Sequence, residues 1–285
     1  MENSRETKSS RLLRVLLSFA LFIMIVLVSL SSCSKSVFLN KSLIEDLFTD
    51  YDYVTCVKAD ILEYANDIYL KNGLDGSSLD SVFDDRLVEE TIKAYVAGTI
   101  GSSIGYSETT YLESVENMCA SFEADLKNQL DKKGLAQDSD RINASVELMN
   151  SCIISAVDIS IPNLKNIMNI GSIASVAVIG VSLFFAVSLG LILFFIGDIR
   201  YRSLRAVSIS FFTAGLFDIF LSFMAYIIFK MRHIDIFPIY LRELVMRYIG
   251  DCMNSVAVAG CLLLFVGLIA SVATWKIRKE RVNRG

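Results

Sequence analysis

Residues 170–196 read IGSIASVAVIGVSLFFAVSLGLILFFI, a run of 27 residues without one charged side chain. As an α-helix this run would be about 40 Å long, which exceeds the roughly 30 Å of a bilayer's hydrocarbon core. Three further apolar stretches occupy 15–32, 207–229 and 253–275. The sequence therefore predicts an all-α integral membrane protein in which an N-terminal anchor or signal helix precedes three transmembrane helices.

The overall composition agrees with that class. Hydrophobic residues make up 53% of the 285-residue chain, more than in an average globular domain, and the excess lies in the four apolar stretches. There are only two prolines. Because proline breaks helices and few alternating β-type runs occur, we expect the parts between the apolar stretches to be helical as well.

Residues 33–168 differ in character from the rest of the chain. Between 33 and 165 there are 23 Asp and Glu residues against 11 Lys and Arg, a balance of −12. Such a segment would repel nucleic acid and anionic lipid headgroups. We therefore expect no nucleic-acid partner, and we predict a soluble-type helical domain held between the first and second apolar stretches.

Basic residues at the ends of the stretches predict the orientation, because Lys and Arg near a span are retained in the cytoplasm. The segment 1–14, the connection after the second stretch and the tail 276–285 are all basic, and four crossings place them on one side. We expect a multi-pass protein of the cell membrane with a cytoplasmic C-terminus and residues 33–168 extracytoplasmic. Four basic residues in the loop 230–252 oppose this orientation. The flanking residues are Arg5, Lys8, Arg11, Arg14, Arg200, Arg202, Arg205, Lys276, Arg278, Lys279, Arg281 and Arg284.

The first stretch, 15–32, has two interpretations. It is either a permanent transmembrane helix or a signal peptide with a basic start and an apolar centre. Leu30-Ser31-Ser32-Cys33 resembles the lipobox of bacterial lipoproteins, and that resemblance implies cleavage before Cys33 and lipidation of its thiol. The alternative is an ordinary cysteine at a helix end, and either outcome leaves the acidic segment outside the cytoplasm.

The acidic segment contains several amphipathic helices with recognisable ends. Apolar residues recur at three- and four-residue steps over about 53–71, 80–97, 107–133 and 138–157, with a shorter helix near 42–49. Asn72-Gly73, Gly98–Gly105 and Lys132-Lys133-Gly134 are the expected breaks. Four helices with one apolar face each predict a four-helix-bundle-like domain. This layout is similar to that of the ligand-sensing domains of bacterial chemoreceptors.

No catalytic, cofactor or metal motif is present in the sequence. The only histidine, His233, lies beside Asp235 in the loop after the third stretch and has no converging partner that would make a metal site or a catalytic triad. The spacing of the six cysteines excludes a C-x-x-C redox or zinc site. Cys119 and Cys152 lie on neighbouring predicted helices and could form one disulfide. The alternative is that both are buried free thiols.

Asp218 lies near the middle of the third stretch, where a charge is costly. Ser210, Ala214, Asp218 and Ser222 follow each other at four-residue steps and so share one helix face. Desolvation favours the neutral acid there. The functional interpretations are a proton or cation relay, or a contact with another membrane subunit. The structural interpretation is a protonated acid hydrogen-bonded to Ser210 and Ser222.

Residues 238–249 form a short amphipathic segment before the last apolar stretch. Its apolar side is broad, and Asp235 with Pro238 is typical of a helix start. We predict a separate helix that lies in the membrane interface, or alternatively one that packs under the acidic domain as a lid.

Two functional hypotheses follow. The first is a non-enzymatic membrane protein whose extracytoplasmic domain binds a ligand, an envelope component or a partner protein. The second is an accessory or permease-like subunit of a membrane transport complex, because one span, a large outer domain and three closing spans resemble the layout of FtsX/MacB-type membrane subunits. In that family a cytoplasmic segment engages an ATPase, and only 198–205 could do so here. The bilayer and another membrane or envelope protein are the expected partners.

Overall fold

The protein is almost entirely helical. The computed structural model describes residues 8–101, 108–135, 138–158, 164–196, 200–231 and 238–283. Helix accounts for 92% of the structure, and no strand occurs in those ranges. The helices are α1 Lys8–Cys33, continued by a π-helical turn over Ser34–Phe38, α2 Lys41–Phe48, α3 Tyr51–Lys71, α4 Leu79–Val82, α5 Asp85–Ile100, α6 Glu108–Lys132, α7 Ser139–Val157, α8 Leu164–Ile196, α9 Arg200–Met231 and α10 Ile239–Asn283.

The prediction of an all-helical chain with four candidate membrane-spanning helices is confirmed. Within the described residues, four helices are long and apolar enough to cross a bilayer. Each contains one of the four apolar stretches found in the sequence. The candidate spans are Leu12–Phe38, Lys165–Phe195, Arg202–Lys230 and Ile239–Lys279.

The chain divides into two compact units, which we describe separately. The membrane unit consists of Met1–Asn40, Asn169–Asp235 and Val245–Gly285. The acidic unit consists of Lys41–Met168 and Ile236–Leu244. The acidic unit therefore draws on two separate parts of the sequence.

The helix ends in the acidic unit follow the local sequence signals. Gly73, Gly101 and Gly134 adopt left-handed φ angles of 75°, 65° and 64°, which a side chain would disfavour. The Asp138 carboxylate accepts a hydrogen bond from the backbone N–H of Asp140 at 3.1 Å and so caps α7. The predicted break at 98–105 begins only at Gly101, because α5 continues to Ile100.

The core of the acidic unit is built from the apolar faces of α3, α5, α6 and α7. Phe122 lies at its centre and packs against Tyr69 and Phe83, with ring centroids 5.5 Å and 6.2 Å away. These rings are fully buried. Other buried members are Val57, Ile61, Ala65, Val88, Ile92, Val115, Met118, Leu126, Ile142, Met149, Ile153 and Val157.

One carboxylate at the edge of this core has two hydrogen-bond donors. The Tyr69 O–H donates to the Asp125 carboxylate at 2.8 Å, and the Ser78 hydroxyl donates to the same oxygen at 2.6 Å. Burial and the neighbouring Asp125 charge both raise the pKa of Tyr69, so the phenol stays a hydrogen-bond donor. One carboxylate of α6 thus links the last turns of α3 to the residue that precedes α4.

Helix α10 begins within the acidic unit. Tyr240, Leu241 and Leu244 pack against its core, and the Tyr240 O–H donates to Asp60 at 2.6 Å. The segment predicted as a separate helix over 238–249 is instead the first part of a continuous helix that extends to Asn283. A single glycine such as Gly250 costs a helix only about 1 kcal/mol, which is too little to break it between apolar turns.

In the membrane unit, α1 packs closely against α9. Leu21, Ile25 and Val26 of α1 form a buried cluster with Ala214 of α9 and Leu193 of α8. The Ser210 hydroxyl of α9 donates to the main-chain oxygen of Ser18 in α1 at 2.9 Å. Helix α1 is thus an integral part of the buried packing of this unit.

The backbones of α9 and α10 meet at glycines. A Cβ atom added to Gly215 would lie 2.5 Å from the Gly260 main-chain oxygen, and one added to Gly260 would lie 2.8 Å from the Gly215 oxygen. The Ser208 hydroxyl beside them donates to the main-chain oxygen of Gly267 at 2.8 Å. Small residues that allow close approach, together with hydroxyls that bond across the contact, are the usual means of association between membrane helices.

We predict that Gly260→Ala destabilises the protein, because the new methyl group would overlap the main-chain oxygen of Gly215 and side-chain atoms of Ile219 and Asp218. The expected loss is about 1–3 kcal/mol, seen as a lower melting temperature of the detergent-solubilised protein. Gly190→Ala is the control. A Cβ atom at Gly190 would meet nothing within 4 Å, so this change should be neutral or slightly stabilising. Equal effects of the two substitutions would contradict the close approach.

Candidate functional site

An open groove of about 400 Å³ lies between α6 and α7 on the acidic unit. The α6 side is formed by residues seven positions apart, Glu116 and Glu123, with Cys119 and Ala120 between them. The α7 side repeats this spacing with Asn143 and Asn150, and Val146 and Glu147 lie between them. Seven residues are nearly two helical turns, so each helix presents one stripe to the groove.

The groove carries negative charge. Glu123 contacts Lys127 at 2.5 Å, one turn further along α6. Glu116 and Glu147 are exposed carboxylates on opposite sides of the groove. No Lys or Arg belongs to the lining in the described part of the chain. Carboxylates around a concave surface attract cations and repel anions, so the groove is suited to positively charged groups.

Sequence reasoning did not find this groove. The sequence predicts the same two helices from their apolar faces, which form the core. The signal that was available is the pairing of Glu116 with Glu123 and of Asn143 with Asn150 at seven-residue spacing. Which polar stripe meets which depends on how α6 and α7 pack, and a single sequence does not contain that information.

Cys119 and Cys152 lie at different positions around the α6–α7 contact. The Cys119 thiol lies 3.8 Å from the side-chain oxygen of Asn150. Cys152 follows two residues later, about 200° further around α7, where the Lys71 ammonium acts on it. All six cysteines are free thiols in the structure, and the predicted disulfide remains a prediction. Burial raises the pKa of Cys119 to about 11, so its thiol is unreactive at neutral pH.

In the membrane unit, the face of α9 that carries Asp218 is buried. Ser210, Ala214, Asp218 and Ser222 are exposed by 2%, 0%, 0% and 6%. The two hydroxyls predicted to bond the carboxyl have other partners: Ser210 donates to Ser18 O at 2.9 Å and Ser222 to Met253 O at 2.6 Å. Neither carboxyl oxygen of Asp218 has a hydrogen-bond partner among the described residues.

Asp218 interacts with two residues of α1. Neither of them was connected with Asp218 in the sequence analysis. Ser29 is 92% buried, and its hydroxyl lies close enough to act on the carboxyl. The two groups nevertheless do not meet the distance and angle of a hydrogen bond, and Ser29 Oγ also lacks another partner in the described structure. Cys33 is the second residue. It ends α1, it is buried, and its thiol lies 3.7 Å from Ser255 O of α10.

The remaining residues singled out by the sequence add no second site. His233 and Asp198 lie outside the described residues, as does the part of the glycine-rich break from 102 onward. In the ranges that are described, no group of three or more His, Cys, Asp or Glu side chains is placed to hold a metal ion. In the described part of the chain, the α6–α7 groove and the buried carboxyl of Asp218 are therefore the two candidate functional sites.

Comparison of the chain with protein-family models, curated proteins and solved structures found no match.

We predict that Cys119 reacts with iodoacetamide at least tenfold more slowly than Cys152 in the folded protein at pH 8. Thiolate is the reactive species, and a thiol with a pKa of about 11 holds only about 0.1% thiolate at that pH. The rate at Cys119 should rise as the pH approaches 11, as followed by mass spectrometry of the alkylated peptides. Unfolding should make the two rates equal. Fast labelling of folded Cys119, or a Cys119–Cys152 disulfide under mild oxidation, would contradict this geometry.

Proposed function

We propose that this protein is a non-enzymatic, multi-pass membrane protein whose acidic unit projects outside the cytoplasm and binds a positively charged segment of another membrane or envelope protein. The α6–α7 groove is the proposed binding surface. The membrane unit serves as the anchor and scaffold. In this proposal the acidic unit is an extracytoplasmic helical bundle.

The observation that carries the proposal is the groove itself. It is concave and lined by three glutamates and two asparagines. Small-molecule sites usually bury 70–90% of their ligand's surface in an enclosed pocket, which this open groove does not provide. An extended or helical protein segment needs only one covered face, and lysine or arginine side chains would pair with Glu116 and Glu147. A basic partner segment is therefore favoured over a small molecule.

The proposed orientation is supported by the distribution of charge along the spans. The connection after α8 and the end of α10 are rich in Lys and Arg, whereas the acidic unit has an excess of carboxylates. Trp275 lies near the end of α10 with the Lys279 ammonium 5.4 Å from its ring centroid. Tryptophan is common at both membrane interfaces, and the basic residues around this one favour the cytoplasmic interface.

Chain continuity offers a path between binding and the membrane. Helix α8 contributes Met168 to the acidic unit and its following residues to the membrane unit. Helix α10 contributes its first residues, up to Leu244, to the acidic unit and the remainder to the membrane unit. A partner that changes the packing of the acidic unit would therefore act on two membrane helices directly.

The alternative is the accessory or permease-like subunit of a transport complex. It shares the membrane topology proposed above and differs in the partner, which would be a cytoplasmic ATPase. Co-purification of an ATPase that persists when the groove is altered would favour that alternative.

The first experiment tests the orientation. Ser77→Cys, on an exposed turn of the acidic unit, should be labelled by a membrane-impermeant maleimide in intact cells. Lys276→Cys, an exposed position after the last span, should be labelled only after lysis. Both substitutions are made in a background in which Cys56, Cys119 and Cys152 are replaced by serine. The reversed pattern would place the acidic unit in the cytoplasm and overturn the proposal.

The second experiment tests the groove. A photo-crosslinking amino acid at Ala120 in the lining of the full-length protein should trap a defined partner in cells, and the same probe at Ala144, outside the lining, should not. Neutralising the groove with Glu116→Gln and Glu147→Gln should reduce this cross-link at least tenfold, because the proposed ion pairs are lost.

The matched control is the double variant Glu63→Gln and Glu113→Gln. It removes the same net charge from exposed positions outside the groove and should leave the cross-link unchanged. An equal loss in both double variants would show that overall charge, and not the groove, governs binding. A cross-link that survives the groove variant would remove the groove from the proposal.

A further inference from the structure

Asp218 is enclosed by protein in the middle of the membrane unit. It lies on α9 and has no exposed surface. Ser29 and Cys33 of helix α1 lie close enough to act on it. Helix α10 approaches it at Gly260, where an added Cβ atom would lie 3.1 Å from the Asp218 Cβ. Its neighbours one turn away on α9, Ala214 and Ser222, are buried too.

An ionised carboxylate is unfavourable in this environment. Asp218 makes no hydrogen bond among the described residues, and none of their ion pairs includes it. From α1, Cys33 is the titratable group that acts on it, and from α10 the neighbouring residue is a glycine. Removing a carboxylate from water without a compensating partner costs several kcal/mol or more. A neutral carboxylic acid avoids most of this cost.

We propose that Asp218 and Ser29 form a proton-binding site that joins α9 to α1. On assembly the carboxylate takes up one proton from a hydronium ion of the solvent, which is left as water. The acid O–H then donates to the Ser29 hydroxyl oxygen. One proton thus provides a hydrogen bond between one carboxyl oxygen of Asp218 and Ser29 Oγ, two atoms that otherwise lack a partner among the described residues.

Other occupants of this site fit less well. A metal cation prefers about six oxygen ligands, and the carboxyl and the serine supply three. A lysine or arginine from a partner helix has no access, because Asp218 is completely covered. A proton relay needs a chain of exchangeable groups, yet Ser210 and Ser222 donate to main-chain carbonyls instead. The proton is therefore held in place, and its loss should weaken the packing of α1 on α9.

Infrared spectroscopy tests the protonation state. The full-length protein carrying ¹³C-labelled aspartate is purified into lipid bilayers at pH 7, and its intact mass is used to verify that α1 is retained. We expect the carbonyl stretch of a protonated carboxyl, which Asp218→Asn abolishes and Asp251→Asn, a change at an exposed position on α10, preserves. Two results would overturn the proposal: absence of this band from the wild type, or a mature protein that lacks α1.

A second measurement tests the link to packing. The unfolded chain ionises Asp218 above about pH 4, whereas the folded chain keeps its proton, so stability should fall as the pH rises. We compare the equilibrium constant for folding of the wild type with that of Asp218→Asn. The ratio of the two constants should fall up to tenfold per pH unit between pH 6 and 8. Both proteins carry Cys33→Ser, which removes the other titratable group. Ser29→Ala should lower the wild-type melting temperature and leave that of Asp218→Asn less affected. Identical pH dependence of the wild type and Asp218→Asn would overturn the proposal.

Discussion

The absence of side chains at Gly215 and Gly260 permits the contact on which the membrane unit depends. Each glycine faces the main-chain oxygen of the other, so α9 and α10 approach as closely as two backbones can. In lipid the hydrophobic effect does not bring helices together, and dispersion contacts over such a close approach supply much of the attraction. Ser208 and Ser222 add hydrogen bonds to main-chain carbonyls of α10 on either side of the glycines. With these two helices fixed, α1 is able to pack on the face of α9 that carries Asp218.

The acidic unit is held together by different forces. Its helices bury a continuous apolar core in which Tyr69, Phe83 and Phe122 have almost no exposed surface, so water and the hydrophobic effect drive its assembly. Most of its carboxylates lie at exposed or half-exposed positions. In the proposed function, those around the groove determine the type of partner that it accepts. The hydroxyl of Tyr69, one of the polar groups inside, donates a hydrogen bond to Asp125. One chain thus uses two packing strategies, each matched to the solvent around it.

The features that depend on local sequence were predictable, and those that depend on packing were not. The membrane-spanning helices followed from apolar length, and the ends of α6 and α7 followed from Gly134 and Asp138. The hydroxyls of Ser210 and Ser222 were predicted to bond Asp218 because they share its helix face, but a membrane serine bonds whichever carbonyl is nearest, including those of a neighbouring helix. The partner from α1, Ser29, is almost 190 residues away in sequence, and no local pattern connects the two. For the same reason, the sequence did not predict the α6–α7 groove or the continuity of α10.

The position of Tyr240 and Leu244 in the core of the acidic unit has a consequence for biogenesis. Most of that unit is complete at Met168, yet its last buried residues are synthesised only after the next two membrane helices. At about 5–20 residues per second, the ribosome takes several seconds to cover this interval. During that time the ring of Tyr53, which Tyr240 covers in the finished protein, remains open to chaperones or proteases on the side of the membrane where the unit emerges. Synthesis of the first turns of α10 therefore completes the core of the acidic unit.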